Sequence, residues 1–140
     1  MTHEFRLRVY YEDTDAGGVV YHANYLCFVE RARTEAFIEL NLSQTGMRET
    51  RGLLFMVRAA TLDFRAPAFL EDELLVLTTV SEMGGARIEM HHELYRQGRL
   101  IVTSDVTLVC VNAEGRATRI PADIRETLSS LSAEEVSTQT

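Results

Sequence analysis

The stretch from Tyr11 to Glu35, YEDTDAGGVVYHANYLCFVERARTE, brings reactive side chains together within a short span. Asp15 offers a carboxylate at the end of an extended segment. Gly17 and Gly18 follow as a turn, and His22 stands at the mouth of a helical pattern. A carboxylate can attack a carbonyl carbon or take a proton from water, and an imidazole can hold or move a proton. Backbone N–H groups at a helix start, here around Gly18, Val19, Val20 and Tyr21, can meet a developing oxyanion. Each residue also has a plain structural use. Asp15 can cap a turn, His22 can sit exposed at the helix start, and Tyr11 can be a core tyrosine. Asn24 suits a cap or turn better than catalysis. Asp13 is the competing acid, but Asp15 lies nearer the glycines that let a ligand approach the backbone.

Composition removes several other chemistries. All 14 basic residues are arginine, so a P-loop lysine and Schiff-base chemistry are excluded. A net charge of -7 argues against a nucleic-acid partner. No GxSxG elbow is present. His91 and His92 are neighbours in a strand and point to opposite faces, and no HxxxH or Cys/His cluster occurs, so no metal is expected. Cys27 and Cys110 are far apart and read as two buried, reduced thiols. No apolar run approaches the ~20 residues needed to span a bilayer, and the N-terminal segment lacks the apolar core of a secretory signal. The expectation is a cytoplasmic protein without membrane insertion.

The elements that must position Asp15 and His22 can be read from periodicity. Residues 5–12 alternate, with Phe5, Leu7, Val9 and Tyr11 on the apolar face of a strand. Residues 13–22 form a loop. From Ala23 to about Asn41 the period becomes helical, with Tyr25, Phe28, Val29, Ala32, Ala36 and Leu40 in one broad stripe. Residues 43–52 are polar and read as a connection. Four strands are expected at about 53–65, 73–83, 86–97 and 100–112, with hairpin turns at Met83–Ala86 and Gln97–Arg99 and a further turn at Asn112–Gly115. Pro121 opens a short helical pattern to about Leu131, and the polar tail Ser132–Thr140 is expected to fray. One domain of α+β class follows, residues 1–140, with an antiparallel sheet on a long central helix.

The segment Asp15-Ala16-Gly17-Gly18-Val19-Val20-Tyr21-His22, with Tyr11 four residues before the acid, resembles the active-site segment of hotdog-fold acyl-CoA thioesterases. The family is that of 4-hydroxybenzoyl-CoA thioesterase, and the YbgC-type enzymes associated with the Tol–Pal operon match best. Phe55–Arg58, Phe64–Ala68, Leu77–Val80 and Val109–Asn112 look similar to the same family, so the resemblance covers roughly residues 5–121.

The resemblance implies a hotdog fold and hydrolysis of an acyl-CoA thioester to free acid and CoA. It implies that Asp15 is the nucleophile or general base, with His22 and Tyr11 assisting and no added cofactor. It also implies a homodimer, or two dimers paired as a tetramer, with active sites between subunits. A CoA ligand carries phosphates, and an acidic protein must meet them with local positive charge; Arg65, Arg87, Arg116 and Arg119 lie at strand ends or turns and are the candidates. An acyl-carrier-protein thioester is an alternative substrate. A hotdog dehydratase and a non-catalytic acyl-CoA or acyl-carrier-binding module are the competing readings. The acyl group itself is left open.

Overall fold

In a computed structural model, which describes residues 1–132, five strands form one antiparallel sheet. They are β1 (His3–Arg8), β2 (Leu54–Phe64), β3 (Glu73–Met83), β4 (Arg87–Arg96) and β5 (Arg99–Val111). Their order across the sheet is β1-β3-β4-β5-β2. β3, β4 and β5 are joined by the two expected hairpins. β2 therefore lies at one edge and β1 at the other. Helix α1 (Asn24–Glu39) packs on one face of the sheet, as the apolar stripe requires. It buries Tyr25, Phe28, Val29, Ala32, Ala36 and Phe37 at three- and four-residue steps. Helix α3 (Ala122–Ser129) follows Pro121 and buries Ile124 and Leu128. Residues 133–140, most of the expected tail, lie outside the described residues. Ser132, at its start, pairs with Val80.

The region read as a connection contains a helix instead, α2 (Gln44–Arg51). Only Met47 of it is buried, so the segment carries almost no apolar period. Its signals are at the ends. The Ser43 hydroxyl accepts the Gly46 N–H at 3.1 Å, and Gly52 closes the helix with a φ of 66°. The Gln44 side chain then extends the sheet, exchanging both hydrogen bonds with the Phe55 backbone at 2.9 and 3.1 Å.

β1 is shorter than alternation suggests. It ends at Arg8, because the Asp13 carboxylate takes the Tyr10 N–H and turns the chain into a single 3-10 turn, Tyr11–Asp13. Tyr11 is thereby carried off the apolar face and is 83% exposed. Cys27 also departs from expectation: it lies on the exposed side of α1, while Cys110 is buried.

A polar row crosses the core side of the sheet. His3, Thr78, His92 and Ser104 are cross-strand partners on β1, β3, β4 and β5, and all four are buried. His92 thus joins Ile88, Met90 and Leu94 on the inward face of β4. Its Nδ1 meets the Thr78 hydroxyl at 3.0 Å. Burial, the nearby Arg33 charge and His91 lower its pKa to about 3, so the ring is neutral near pH 7. His91, on the opposite face, is held by Asp105 at 2.8 Å and Glu93 at 3.3 Å.

Candidate active site

Asp15 lies in a short hairpin whose two arms are tied by backbone bonds. The Asp15 N–H donates to Val19 O at 2.9 Å, and the Tyr21 N–H donates to Asp13 O at 2.9 Å. The turn closes with the Gly18 N–H on Asp15 O at 3.0 Å. Gly18 has a φ of 84°, a conformation that side-chain-bearing residues rarely adopt. A Cβ at Gly17 would stand 3.2 Å from Asp15 Oδ1, which the Gly17 N–H already holds at 2.8 Å. Asp15 is exposed, and its Oδ2 makes no hydrogen bond among the described residues. One carboxylate oxygen is fixed and the other faces outward.

The two candidate acids are separated by environment. Asp13 is 2% exposed. Its Oδ2 accepts the Tyr10 N–H at 2.8 Å and its Oδ1 accepts Asn24 Nδ2 at 2.7 Å. Asp13 has no accessible oxygen for chemistry, and Asp15 has one. Asn24 is the first residue of α1, and its amide is spent on Asp13 rather than on capping the helix.

The outer arm of the hairpin docks on the segment after β2. The Val20 N–H donates to Ala68 O at 2.9 Å, and Val19 bridges to Phe69. Ala68 is in turn held by α1, its N–H donating to the buried Tyr25 hydroxyl at 3.2 Å. Of the four residues expected to offer oxyanion donors, Gly18, Val20 and Tyr21 therefore have their N–H groups occupied within the fold. Val19, His22 and Ala23 N–H make no such bond among the described residues. His22 and Ala23 immediately precede α1, where first-turn N–H groups lack helical partners. Sequence reasoning places the donors around Gly18 to Tyr21, near the helix start. The pairing of the arms, invisible without tertiary contacts, occupies three of those four N–H groups and leaves that of Val19.

His22 is exposed and framed by aromatic rings. Its imidazole lies 4.8 Å from the Tyr21 ring and 6.1 Å from Phe64, centroid to centroid. It shares no hydrogen bond with Asp15. Tyr11 lines a separate open concavity of about 680 Å³ with Arg8, Tyr10 and Leu70.

The four candidate arginines do not form one group. Arg65 is paired with Asp63 at 2.9 Å, beside Phe64. Arg87 and Arg119 both flank the Gly84–Gly85 turn, at the end of the sheet away from Phe64, each with a guanidinium nitrogen 3.5 Å from where a glycine Cβ would stand. Arg125, which sequence reasoning did not single out, joins them by donating to Gly84 O and Gly85 O at 2.7 and 3.1 Å. Arg87 is also bound by Glu89 and lies 3.8 Å from Glu82. Arg116 sits in the turn after β5, its backbone N–H on Asn112 Oδ1 at 3.0 Å. Among the described residues, no three His, Cys, Asp or Glu side chains come together as metal ligands, and no helix is long and apolar enough to cross a membrane.

Comparison with known proteins is consistent across sequence and fold. A family model, that of the Thioesterase-like superfamily, matches residues 9–128. The acyl-CoA thioesterase YbgC of Haemophilus influenzae is 47% identical over 108 residues, 77% of this chain and 79% of that protein. A crystal structure of a probable thioesterase from Bartonella henselae superposes with a TM-score of 0.81 and 36% identity, covering 86% of this chain and all of the other. A 1,4-dihydroxy-2-naphthoyl-CoA thioesterase from Synechocystis superposes with a TM-score of 0.85 and 25% identity, over 94% and 98% of the two chains.

Proposed function

The chain belongs to the Thioesterase-like superfamily and, with its hotdog fold, to the YbgC-type acyl-CoA thioesterases within it; we propose that it hydrolyses acyl-CoA thioesters at Asp15. The observation that carries this is the contrast between the two acids. Asp13 is buried and fully bound, whereas Asp15 is clamped through one oxygen and presents the other to solvent beside a helix start.

Two routes use this geometry. In one, the free Asp15 oxygen attacks the thioester carbon, the C–S bond breaks, and CoA departs as the thiolate. Water then opens the resulting mixed anhydride, which restores the carboxylate, releases the free acid and supplies the proton that the thiolate takes up. In the other, Asp15 takes a proton from water as the water oxygen attacks, and that proton passes to the departing thiolate. In both, the carbonyl oxygen gains negative charge. The N–H groups of His22 and Ala23 are the donors best placed for it, each such donor being worth roughly 3–4 kcal/mol of barrier. His22 moves the proton toward the thiolate, and Tyr11, on the neighbouring turn, assists from the solvent side.

The site is open in a single chain, and the functional unit is a homodimer, or a pair of dimers. β2 is an edge strand whose outer backbone groups are taken by Gln44 at Phe55, and exposed Met56, Val57 and Phe64 lie along it, a surface that pairing beyond Phe55 would cover. Antiparallel pairing of two β2 edges sets Leu54 of one copy near Phe64 of the other. The arginines around Gly84–Gly85, on the order of 30 Å from Phe64 along their own sheet, then approach the partner's Asp15. Arg87, Arg119 and Arg125, with Arg116 close by in sequence, would hold the CoA phosphates there.

Free-thiol release from a panel of acyl-CoAs of short, long and aromatic acyl groups tests the reading and ranks substrates. Release from at least one is expected. No release from any CoA ester, with release from an acyl-carrier-protein thioester, would move the substrate class; no release from either would remove the enzyme reading.

A further inference from the structure

We infer that Asp13 is the positioning residue of this site, acting through Asp15 and His22 rather than on the substrate. The inference rests on the thioesterase reading of Asp15 but concerns a residue with no role in the steps above. Asp13 presents three acceptors, and each reaches a different segment. Oδ2 takes the Tyr10 N–H where β1 ends, Oδ1 takes Asn24 Nδ2 at the first residue of α1, and the backbone carbonyl takes the Tyr21 N–H on the opposite arm of the hairpin. Tyr21 directly precedes His22, and Asp15 is two residues along the same arm as Asp13. One buried residue therefore ties the arm bearing the acid, the arm bearing the imidazole and the helix whose N-terminus supplies the donors.

The links are not interchangeable with neutral packing. A buried carboxylate whose oxygens each accept one strong donor fixes direction as well as distance. With an amide side chain at position 13, one of the two donors would face an NH2 group, and the hairpin could no longer be held to both β1 and α1. Asp15 and His22 would remain present but displaced, and a displacement of about 1 Å at a reacting group can cost on the order of 100-fold in rate.

The contact between residues 13 and 24 can be exchanged. In the double variant Asp13→Asn with Asn24→Asp, the amide oxygen introduced at position 13 still accepts the Tyr10 N–H. The amide nitrogen beside it donates to the carboxylate introduced at position 24. That carboxylate then sits in the first turn of α1, where a negative charge is favourable.

The test measures kcat and KM on an acyl-CoA turned over by the wild type, beside hydrogen exchange at the Gly18 and Tyr21 amides. Asp13→Asn is expected to lower kcat about 10- to 100-fold with KM changed about twofold or less, and to speed exchange at both amides. The double variant is expected to recover kcat to within about threefold of wild type and to restore protection. Asn24→Ala, which removes only the Nδ2 donor, is expected to fall between. Unchanged kcat in Asp13→Asn would overturn the inference. So would a double variant with native protection and no recovery, because position 13 would then need its carboxylate for the chemistry itself. The exchange arm does not depend on turnover. If no acyl-CoA were hydrolysed, the functional reading would fail, and unchanged exchange in Asp13→Asn would still sink the positioning role separately.

Discussion

The Phe64 ring stands edge-on to the His22 imidazole, with centroids 6.1 Å apart and planes at 81°. Phe64 is the last residue of β2, and it also meets Tyr25 of α1 at 5.7 Å. Phe64 thus links the His22 imidazole to the central helix. Phe64→Ala is expected to lower kcat by about tenfold, because the imidazole loses one wall of its frame. Phe64 is half exposed, so the unfolding free energy should fall by only about 1 kcal/mol. Steady-state kinetics beside urea denaturation checks both; an unchanged kcat would mean that Phe64 does not orient His22.

Tyr25 anchors the segment on which the hairpin docks. Its hydroxyl oxygen is the acceptor for the buried Ala68 N–H. Tyr25→Phe leaves that N–H without a partner at nearly constant volume, and the expected loss is about 1–3 kcal/mol of stability. Denaturant titration measures it. A loss too small to detect would show that Ala68 finds another acceptor.

The adjacent histidines drive stability in opposite directions with pH. His92 titrates at about 3 in the folded chain, through burial and the Arg33 charge, against an ordinary value of 6.5. Between those values the unfolded chain binds more protons, so stability falls as pH drops from 6.5 toward 3 and this contribution is level above 6.5. For one fully linked proton the slope approaches about 1.4 kcal/mol per pH unit. For His91, burial works against the charged form, but the bonds to Asp105 and Glu93 outweigh it and raise the pKa. Its contribution is fully present below 6.5 and is lost as pH rises through the raised value. His92→Gln should therefore flatten the acid limb relative to wild type, and His91→Gln should remove a smaller loss on the neutral side. Unfolding free energies measured from pH 4 to 8 decide it, and an acid limb unaltered in His92→Gln would contradict the assignment.

Arg119 flanks the Gly84–Gly85 turn with no acidic partner among the described ion pairs. Arg119→Ala is expected to raise KM for acyl-CoA about tenfold and to leave a truncated thioester lacking the nucleotide unaffected. If the arginine serves the neighbouring subunit, mixing Arg119→Ala with Asp15→Asn chains should regenerate one unimpaired site per mixed dimer. Equal effects on both thioesters would remove the phosphate-binding role.

Most strands are legible in the sequence because β4 alternates, β3 and β5 carry apolar, β-branched runs, and the turns between them carry glycine. α1 is legible for the same kind of reason, since its stripe recurs at helical steps without Gly or Pro. α2 is not, because one buried Met47 gives no period and its evidence lies only in the Ser43 and Gly52 caps. His92 is hidden because a histidine in an inward strand position looks polar in sequence, and its cross-strand partner Thr78 is fourteen residues away. Alternation continues through residue 11 and so sets Tyr11 on the apolar face, whereas the Asp13–Tyr10 bond ends the strand first. At the site, the types and order of Asp15, the glycines and His22 are readable. Which backbone N–H groups stay free is not, because that depends on the docking of Val20 on Ala68.

If the free oxygen of Asp15 does the chemistry, Asp15→Asn removes it. Thiol release should fall by at least about 1000-fold while calorimetry shows acyl-CoA binding within about threefold of wild type, as expected when a group acting only in the transition state is lost. Turnover near the wild-type rate in a folded, acyl-CoA-binding Asp15→Asn protein would eliminate Asp15 as the catalytic acid.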